Sequence, residues 1–157
     1  MSLRRAKGRS FISLCRRRSF PPERGKEKYM LPKNKKTILL VEDEEDIRNI
    51  YKTKLVKAGY GVVTANSGIR GVDLARKKQP DLILLDIVLP MGEGFSVLED
   101  LKKNPKTRNI PVVIFSNLDQ DYEKKMARDL GAEEYLTKTN VTPGEVVETI
   151  KNIFGKK

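Results

Sequence analysis

Four short apolar runs of this sequence each end in a side chain that could do chemistry. The runs are 37–41, 82–85, 112–115 and 135–137. The side chains that follow them are three carboxylates, a hydroxyl and an ammonium: Glu42, Asp43, Asp86, Ser116 and Lys138. In an open parallel sheet, ligands bind outside the carboxyl ends of the strands. If the runs are parallel strands, these five groups therefore lie together at one edge of a sheet.

The three carboxylates are of the type that a hard divalent cation binds. Magnesium prefers oxygen ligands and keeps several waters beside one or two carboxylates. Without a cation, crowded carboxylates repel one another. Asp86, the central carboxylate, could act as a nucleophile that forms an acyl phosphate. Lys138 would supply a positive charge to a phosphate oxygen and Ser116 a hydroxyl donor, so the group is suited to phosphoryl transfer.

Strand and helix patterns alternate from Thr37 to the end of the chain. The predicted strands are 37–41, about 60–65, 82–85, 111–115 and about 134–137, and the predicted helices are about 44–58, 67–78, 94–103, 119–130 and 142–154. The first and third strands are almost wholly apolar, as strands buried on both faces are. Five such units predict an α/β domain in which helices cover both faces of a five-stranded parallel sheet, a doubly wound fold.

The net charge of +11 is unevenly distributed along the sequence. Residues 1–36 contain 13 Lys and Arg against two acids, whereas residues 37–157 contain 19 of each sign. We predict a disordered basic arm over residues 1–36 and one folded domain over residues 37–157. The folded part is electrically balanced and carries no overall signature of nucleic-acid binding.

The basic arm has several possible interpretations. It could be a solvated segment, or it could bind nucleic acid or an anionic surface through its Lys and Arg side chains. Its Arg- and Ser-rich first 20 residues are also typical of an organellar transit peptide. A translation start at Met30 is a further alternative.

Two rare residue types limit the possible sites. The sequence contains one cysteine, Cys15, and no histidine, which excludes an internal disulfide and argues against most zinc sites. A phosphoryl group would therefore reside on another side chain, and a donor histidine would belong to a partner. No apolar stretch approaches the roughly eighteen residues of a transmembrane segment, and we expect a cytoplasmic protein.

Taken in order, these motifs resemble the receiver domain of bacterial response regulators, the phosphorylation switches of two-component systems. The resemblance covers residues 37 to about 155 and is carried by LVEDE at 40–44, DLILLDIVLPMGEGF at 81–95, FS at 115–116 and YLTK at 135–138. Pro90 and Gly94 follow Asp86 by four and eight residues, as in that family. The resemblance implies a CheY-like, flavodoxin-like fold with strand order 2-1-3-4-5 and five helices.

The resemblance also implies roles for the residues at the strand ends. Asp86 corresponds to the phosphoacceptor, and Lys138 to the lysine that accompanies it. Glu42 and Asp43 would hold Mg²⁺ together with Asp86 and the main-chain carbonyl of Val88. The phosphodonor would be a sensor histidine kinase or a phosphotransfer protein.

The predicted switch consists of a hydroxyl and an aromatic ring. Ser116 corresponds to the switch hydroxyl of the family and Tyr135 to its aromatic rotamer switch. Phosphorylation of Asp86 would draw Ser116 toward the phosphoryl group and let Tyr135 turn inward. The face made by the fourth helix, fifth strand and fifth helix would then change its affinity for a downstream protein.

Three positions distinguish this chain from the usual pattern of the family. Thr139 follows Lys138 where the family usually has proline after a cis peptide bond, and before any other residue the cis form costs about 2.5–4 kcal/mol. Asn117 follows the switch hydroxyl where a small residue is commoner. Val88 is apolar and cannot activate a water, which in this family favours a persistent acyl phosphate.

The leading hypothesis is therefore a single-domain receiver that acts by binding partners. It would catalyse only its own phosphorylation and slow dephosphorylation, and would not be an enzyme in the usual sense. We expect no effector domain after the predicted fifth helix. One alternative is a degenerate receiver used only for protein binding. Another is an aspartyl-phosphate hydrolase, which would need an acid where this chain has Val88.

Overall fold

Five parallel strands form one sheet in the order β2-β1-β3-β4-β5. The structure is a computed structural model that describes residues 35–90 and 93–156. The strands are β1 Thr37–Val41, β2 Gly61–Ala65, β3 Leu82–Leu85, β4 Val112–Ser116 and β5 Glu134–Thr137. All four neighbouring pairs run parallel. The predicted doubly wound fold and its strand order are confirmed.

Five α-helices connect or follow the strands. They are α1 Glu45–Lys57, α2 Gly68–Lys78, α3 Gly94–Lys103, α4 Asp121–Asp129 and α5 Pro143–Gly155. Four helices, α1, α2, α4 and α5, begin later than predicted because the residue before each of them is its N-cap. The Ser67 hydroxyl accepts a hydrogen bond from the Arg70 amide, and Gln120 forms a capping box with Glu123.

The apolar runs fill a core on each face of the sheet. Because successive side chains of a strand point to opposite faces, Leu39 and Val41 of β1 lie in one cluster with residues of α2, α3 and α4. Ile38 and Leu40 lie in the other, with residues of α1 and α5. Every residue of β3 and β4 is buried. Asp86 directly follows one of these fully buried strands, and Ser116 is the last residue of the other.

The predicted basic arm, residues 1–36, lies almost entirely outside the described residues, as do Cys15 and Met30. The predictions made for it therefore stay predictions. Within the described ranges, none of the helices combines the length and the apolar composition needed to cross a membrane.

Candidate functional site

The register of the sheet brings Glu42 and Asp86 to the same edge. Val41 of β1 pairs with Leu85 of β3, so the next residue of each strand lies at the same level. The Asp86 amide donates to the Val41 carbonyl at 3.1 Å, and the Glu42 amide donates to the Ala65 carbonyl at 3.0 Å. Both acids therefore continue the hydrogen bonding of the sheet by one residue, and the main chain holds each of them firmly.

A cluster of opposite charges lies at this edge. Lys138, directly after β5, places its Nζ 2.6 Å from Glu42 Oε2 and 2.9 Å from Asp86 Oδ2. Glu42 and Asp86 are 1% and 3% exposed, whereas Asp43 is exposed. One carboxylate oxygen from each of the three acids lies within 4.8 Å of the others. The sequence prediction for these four side chains thus corresponds to a real cluster in space.

The second oxygen of each buried carboxylate accepts a main-chain amide. Asp86 Oδ1 accepts from the Val88 amide at 2.9 Å, and Glu42 Oε1 accepts from the Glu44 amide at 3.1 Å. Both carboxylates are consequently oriented from two sides, by an amide and by the Lys138 ammonium. Both carboxylates line a cleft of about 290 Å³. The residues that line this cleft are Glu42, Asp43, Glu44, Asp86, Val88, Asn117 and Lys138.

Burial and the neighbouring charges shift the pKa values of Glu42 and Lys138. Burial raises the pKa of Glu42 above its usual value, the Lys138 hydrogen bond opposes that shift, and the charge of Asp86 adds to it. Burial disfavours the charged form of Lys138, but its hydrogen bonds to Glu42 and Asp86 outweigh that effect and raise its pKa. Lys138 is therefore a charged ammonium in the site at neutral pH.

The two predicted switch residues both form a hydrogen bond with the main chain of Leu118. Ser116 is fully buried, and its Oγ accepts a hydrogen bond from the Leu118 amide at 3.2 Å. The Tyr135 hydroxyl donates to the Leu118 carbonyl at 2.8 Å. Burial, with a contribution from the negative charge of Glu123, raises the pKa of Tyr135 to about 12, so this hydroxyl is a donor at neutral pH. One residue of the β4–α4 loop, Leu118, thus contacts both side chains, through its amide and through its carbonyl.

Comparison with known families agrees with this arrangement. The family model described as "Response regulator receiver domain" matches residues 38–151, which includes the acidic cluster, Ser116 and Lys138. The chain belongs to the response regulator receiver family. The resemblance drawn from the strand-end motifs is thereby confirmed.

Two curated relatives illustrate the range of lengths in which this receiver occurs. The transcriptional regulator RpaA of Synechocystis is 39% identical over 74% of this chain, and the match covers 46% of RpaA. The polar-differentiation response regulator DivK of Brucella ovis is 34% identical over 76% of this chain and is covered over 97% of its own length. The chain thus spans about half the length of RpaA and nearly all of DivK.

A solved receiver domain shows the same fold with a metal. The receiver domain of the sensor histidine kinase PA1611 from Pseudomonas aeruginosa has a TM-score of 0.70 and 25% identity, over 77% of this chain and 98% of that one, and carries a magnesium ion in its active-site cleft. Receiver domains bind Mg²⁺ in an acidic cluster and interact with histidine kinases or phosphotransfer proteins. The carboxylate set of this chain, three oxygens within 4.8 Å, fits such an ion.

Thr139, where the family usually has proline, does not prevent Lys138 from contacting the acidic cluster. No peptide bond within residues 35–90 and 93–156 is cis, so Lys138 and Thr139 are joined in trans and begin a 3-10 turn, Lys138–Asn140. The Lys138 Nζ nevertheless reaches both buried carboxylates. The contacts of Lys138 with Glu42 and Asp86 are therefore made in this chain without the proline and with a trans bond.

Sequence reasoning missed two aromatic residues beneath Lys138. The Lys138 Nζ lies 5.3 Å from the centroid of the Phe115 ring, a cation–π distance. Phe115 in turn packs edge-on against Tyr51 of α1, with ring centroids 4.6 Å apart. Their apolar spacing indicated only core positions, and no feature of the sequence links either ring to a lysine. Phe115 adds a third contact to the ammonium, and Tyr51 packs against Phe115.

The structure also shows an unexpected hydrogen bond between the last residue of β5, Thr137, and the β4–α4 loop. The Thr137 hydroxyl donates to Asp119 Oδ1 at 2.7 Å, and Lys124 forms an ion pair with the same oxygen at 2.6 Å. These contacts lower the pKa of Asp119 through the hydrogen bonds of Lys124 and Thr137. The β4–α4 loop of the receiver is thus joined to the strand that precedes Lys138.

Removing the ammonium should cost stability because two buried carboxylates would lose their counter-charge. Lys138→Met is expected to lower the free energy of unfolding in EDTA by about 3 kcal/mol. The deficit should shrink toward acidic pH, where protonation of the carboxylates removes the unpaired charge. Urea unfolding of both proteins measures this difference.

The matched control for this variant is Lys125→Met. Lys125 pairs with Asp129 on the surface of α4, with side chains 70% and 64% exposed, and such a pair contributes less than about 1 kcal/mol. A Lys138→Met protein that is as stable as the control would contradict the interpretation that the ammonium compensates the buried carboxylates.

Proposed function

We propose that this receiver accepts a phosphoryl group on Asp86 in a Mg²⁺-dependent reaction and signals through protein–protein contacts. The observation that carries the proposal is the Asp86 carboxylate itself. It is buried at the end of a central strand, 2.9 Å from the Lys138 ammonium, and grouped with Glu42 and Asp43 within 4.8 Å. A solvated loop carboxylate would need none of these partners.

In the proposed reaction, a bond forms between an Asp86 carboxylate oxygen and the phosphorus of the donor. The phosphorus–nitrogen bond of a phosphohistidine on the partner breaks, and because the other nitrogen of that ring already carries a proton, the ring leaves as neutral imidazole. Because this chain contains no histidine, the donor imidazole must come from a kinase or phosphotransfer protein. Lys138 would neutralise charge on the phosphoryl oxygens throughout the transfer.

Glu42, Asp43, Asp86 and the Val88 main-chain carbonyl are the groups that would hold Mg²⁺. When bound, the ion would neutralise the carboxylates and the oxygens of the phosphoryl group. Asp43 is exposed, whereas Glu42 and Asp86 are buried. A hydrated ion could therefore enter from the Asp43 side while keeping several of its waters.

The proposed switch depends on the main chain of Leu118. Movement of Ser116 Oγ toward a phosphoryl group on Asp86 would change its 3.2 Å contact with the Leu118 amide. The carbonyl of the same residue accepts from Tyr135, so the displacement would reach the face of α4, β5 and α5. Leu118, Tyr122 and Met126 expose 36%, 63% and 42% of their surface there and offer apolar contacts to a downstream protein.

The test uses a small-molecule phosphodonor and the full chain. Intact mass spectrometry with Mg²⁺ should show the addition of one phosphoryl group, and EDTA should prevent it. A protein that binds Mg²⁺ but takes up no phosphoryl group from saturating donor would support the degenerate receiver instead. The close approach of Lys138 to Asp86 despite Thr139 argues against that alternative.

The side chain at Val88 should determine how long the acyl phosphate lasts. Val88 lines the cleft and is 48% exposed, yet it offers no group that could activate water. Val88→Glu is expected to speed loss of the phosphoryl group by about tenfold or more, since a positioned general base typically contributes at least that much. Intact mass measured against time after donor removal gives both rates.

Val88→Gln is the matched control, because it is similar in size to Glu but is not a base. Decay in Val88→Glu no faster than in this control would contradict the assigned role of position 88. Steady phosphate release from a phosphate ester by the unmodified protein would instead favour the hydrolase alternative.

The remaining parts of the proposal concern the protein as a whole. Single-domain organisation is supported by DivK, of which the chain covers 97%, but RpaA shows that the same receiver also occurs in longer proteins. A cytoplasmic location and a role as a phosphoacceptor switch without other catalysis are further parts of the proposal, and membership of the receiver family supports them. Contact of the basic arm with nucleic acid or an anionic surface stays a separate prediction.

A further inference from the structure

Arg48 of α1 contacts the main chain of two proposed metal ligands. Its Nη1 donates to the Glu42 carbonyl at 2.9 Å and to the Asp43 carbonyl at 3.3 Å. Arg48 is partly buried and lies five and six residues beyond these acceptors. One guanidinium nitrogen therefore holds both peptides at the point where β1 becomes the loop.

The contact is notable because carboxylates are the usual partners of arginine. Glu42, Asp43, Glu44 and Glu45 all lie nearby in sequence, yet among the described residues Arg48 forms no ion pair with any of them. Arg48 binds the carbonyl oxygens and leaves the carboxylate oxygens free. An arginine that bound the carboxylates would instead compete with a cation for them.

Asp43 depends most on this contact. Glu42 and Asp86 are each oriented by Lys138 and by an amide. Within the part of the chain that the structure describes, the Asp43 carboxylate has no hydrogen bond of its own. Its direction therefore follows from the conformation of its peptide, and the Arg48 contact restrains that peptide.

We propose that Arg48 is a positioning residue of the metal site, which orients Glu42 and Asp43 through their carbonyls without touching the ion. The inference rests on the proposed function for the identity of the ligands. The positioning effect of Arg48 on Mg²⁺ affinity is opposite in sign to the effect of its positive charge. A positive charge near the cleft repels a cation, so charge alone predicts tighter Mg²⁺ binding when Arg48 is removed, whereas positioning predicts weaker binding.

The test compares Mg²⁺ affinity of the full chain by calorimetry in Arg48→Gln, Arg48→Lys and Arg76→Gln. Arg48→Gln should bind Mg²⁺ about tenfold more weakly, the lower end of the effect of residues that orient metal ligands. Arg48→Lys keeps the charge but lacks the guanidinium and should also bind more weakly. Arg76→Gln, on exposed α2, loses the same charge and should match the unmodified protein.

A second measurement uses the metal-free protein. The Glu44 amide donates to Glu42 Oε1 and should exchange its hydrogen several-fold faster in Arg48→Gln, while the Asp86 amide, held by Val41, should not change. Equal or tighter Mg²⁺ binding by Arg48→Gln, or unchanged Glu44 exchange, would overturn the proposal. If the unmodified protein binds Mg²⁺ but accepts no phosphoryl group, the proposed function fails while the Arg48 comparison still decides this inference. Absence of any Mg²⁺ binding would overturn both.

Discussion

Asp86→Asn is expected to reduce phosphoryl incorporation below detection under conditions in which the unmodified protein is fully labelled. The asparagine amide lacks the carboxylate charge that makes the oxygen a nucleophile, and it cannot form an acyl phosphate. The fold should be retained, because the amide oxygen of asparagine can still accept from Val88 as Asp86 Oδ1 does. Lys138 also keeps its 2.6 Å contact with Glu42. Intact mass after incubation with donor and Mg²⁺ measures the loss.

The matched control for Asp86→Asn is Asp100→Asn. Asp100 lies exposed on α3, away from the acidic cluster, so the change removes the same formal charge from a position without partners in the site. The control should be labelled as fully as the unmodified protein. Incorporation by Asp86→Asn at the rate of the control would mean that another side chain accepts the phosphoryl group.

Gly94→Ala is expected to lower the free energy of unfolding by about 3 kcal/mol or more. Gly94 is the buried first residue of α3, and a Cβ atom there would overlap the main chain of Ile87. Backbone cannot rotate away as a flexible side chain can. Because Ile87 directly follows Asp86, any shift that relieves the overlap should also displace the carboxylate and slow phosphorylation. Urea unfolding and the labelling rate measure the two effects.

Gly144→Ala is the matched control for this substitution. Gly144 lies in the first turn of α5, and an added Cβ would meet only the Thr142 Oγ at 3.8 Å, an ordinary contact. Since alanine is the better helix former, the control should gain up to about 1 kcal/mol. A Gly94→Ala protein as stable as this control would contradict the close approach of α3 to the loop after Asp86.

The positions of the acidic residues could be predicted because they depend on simple rules. The carboxyl ends of parallel strands meet at one edge, so Glu42 and Asp86 had to be close once β1 and β3 were recognised as buried strands. The predicted contact with Lys138 follows in the same way from the end of β5. None of these predictions required knowledge of a side-chain conformation.

Other features of the site could not be predicted because they depend on the path of the loops. Arg48 lies on a helix rich in acids, and its spacing suggests an ion pair more readily than a contact with two carbonyls. The contact of Phe115 with the ammonium depends on the conformation of the Lys138 side chain, which lies over the Phe115 ring. No sequence pattern indicated that the amide and the carbonyl of Leu118 bind Ser116 and Tyr135. Gly94 matched the family spacing, but that spacing does not name Ile87 as its neighbour.

The central claim, that Asp86 is the residue that carries the phosphoryl group, can be tested by chemical reduction of the phosphorylated protein. Borohydride reduces an aspartyl phosphate to homoserine, which peptide mass spectrometry locates in the sequence. We predict homoserine in place of Asp86 and unchanged Glu42 and Asp43. A reduced residue at either of those acids, or a borohydride-resistant phosphoryl group on Ser116, would contradict the account.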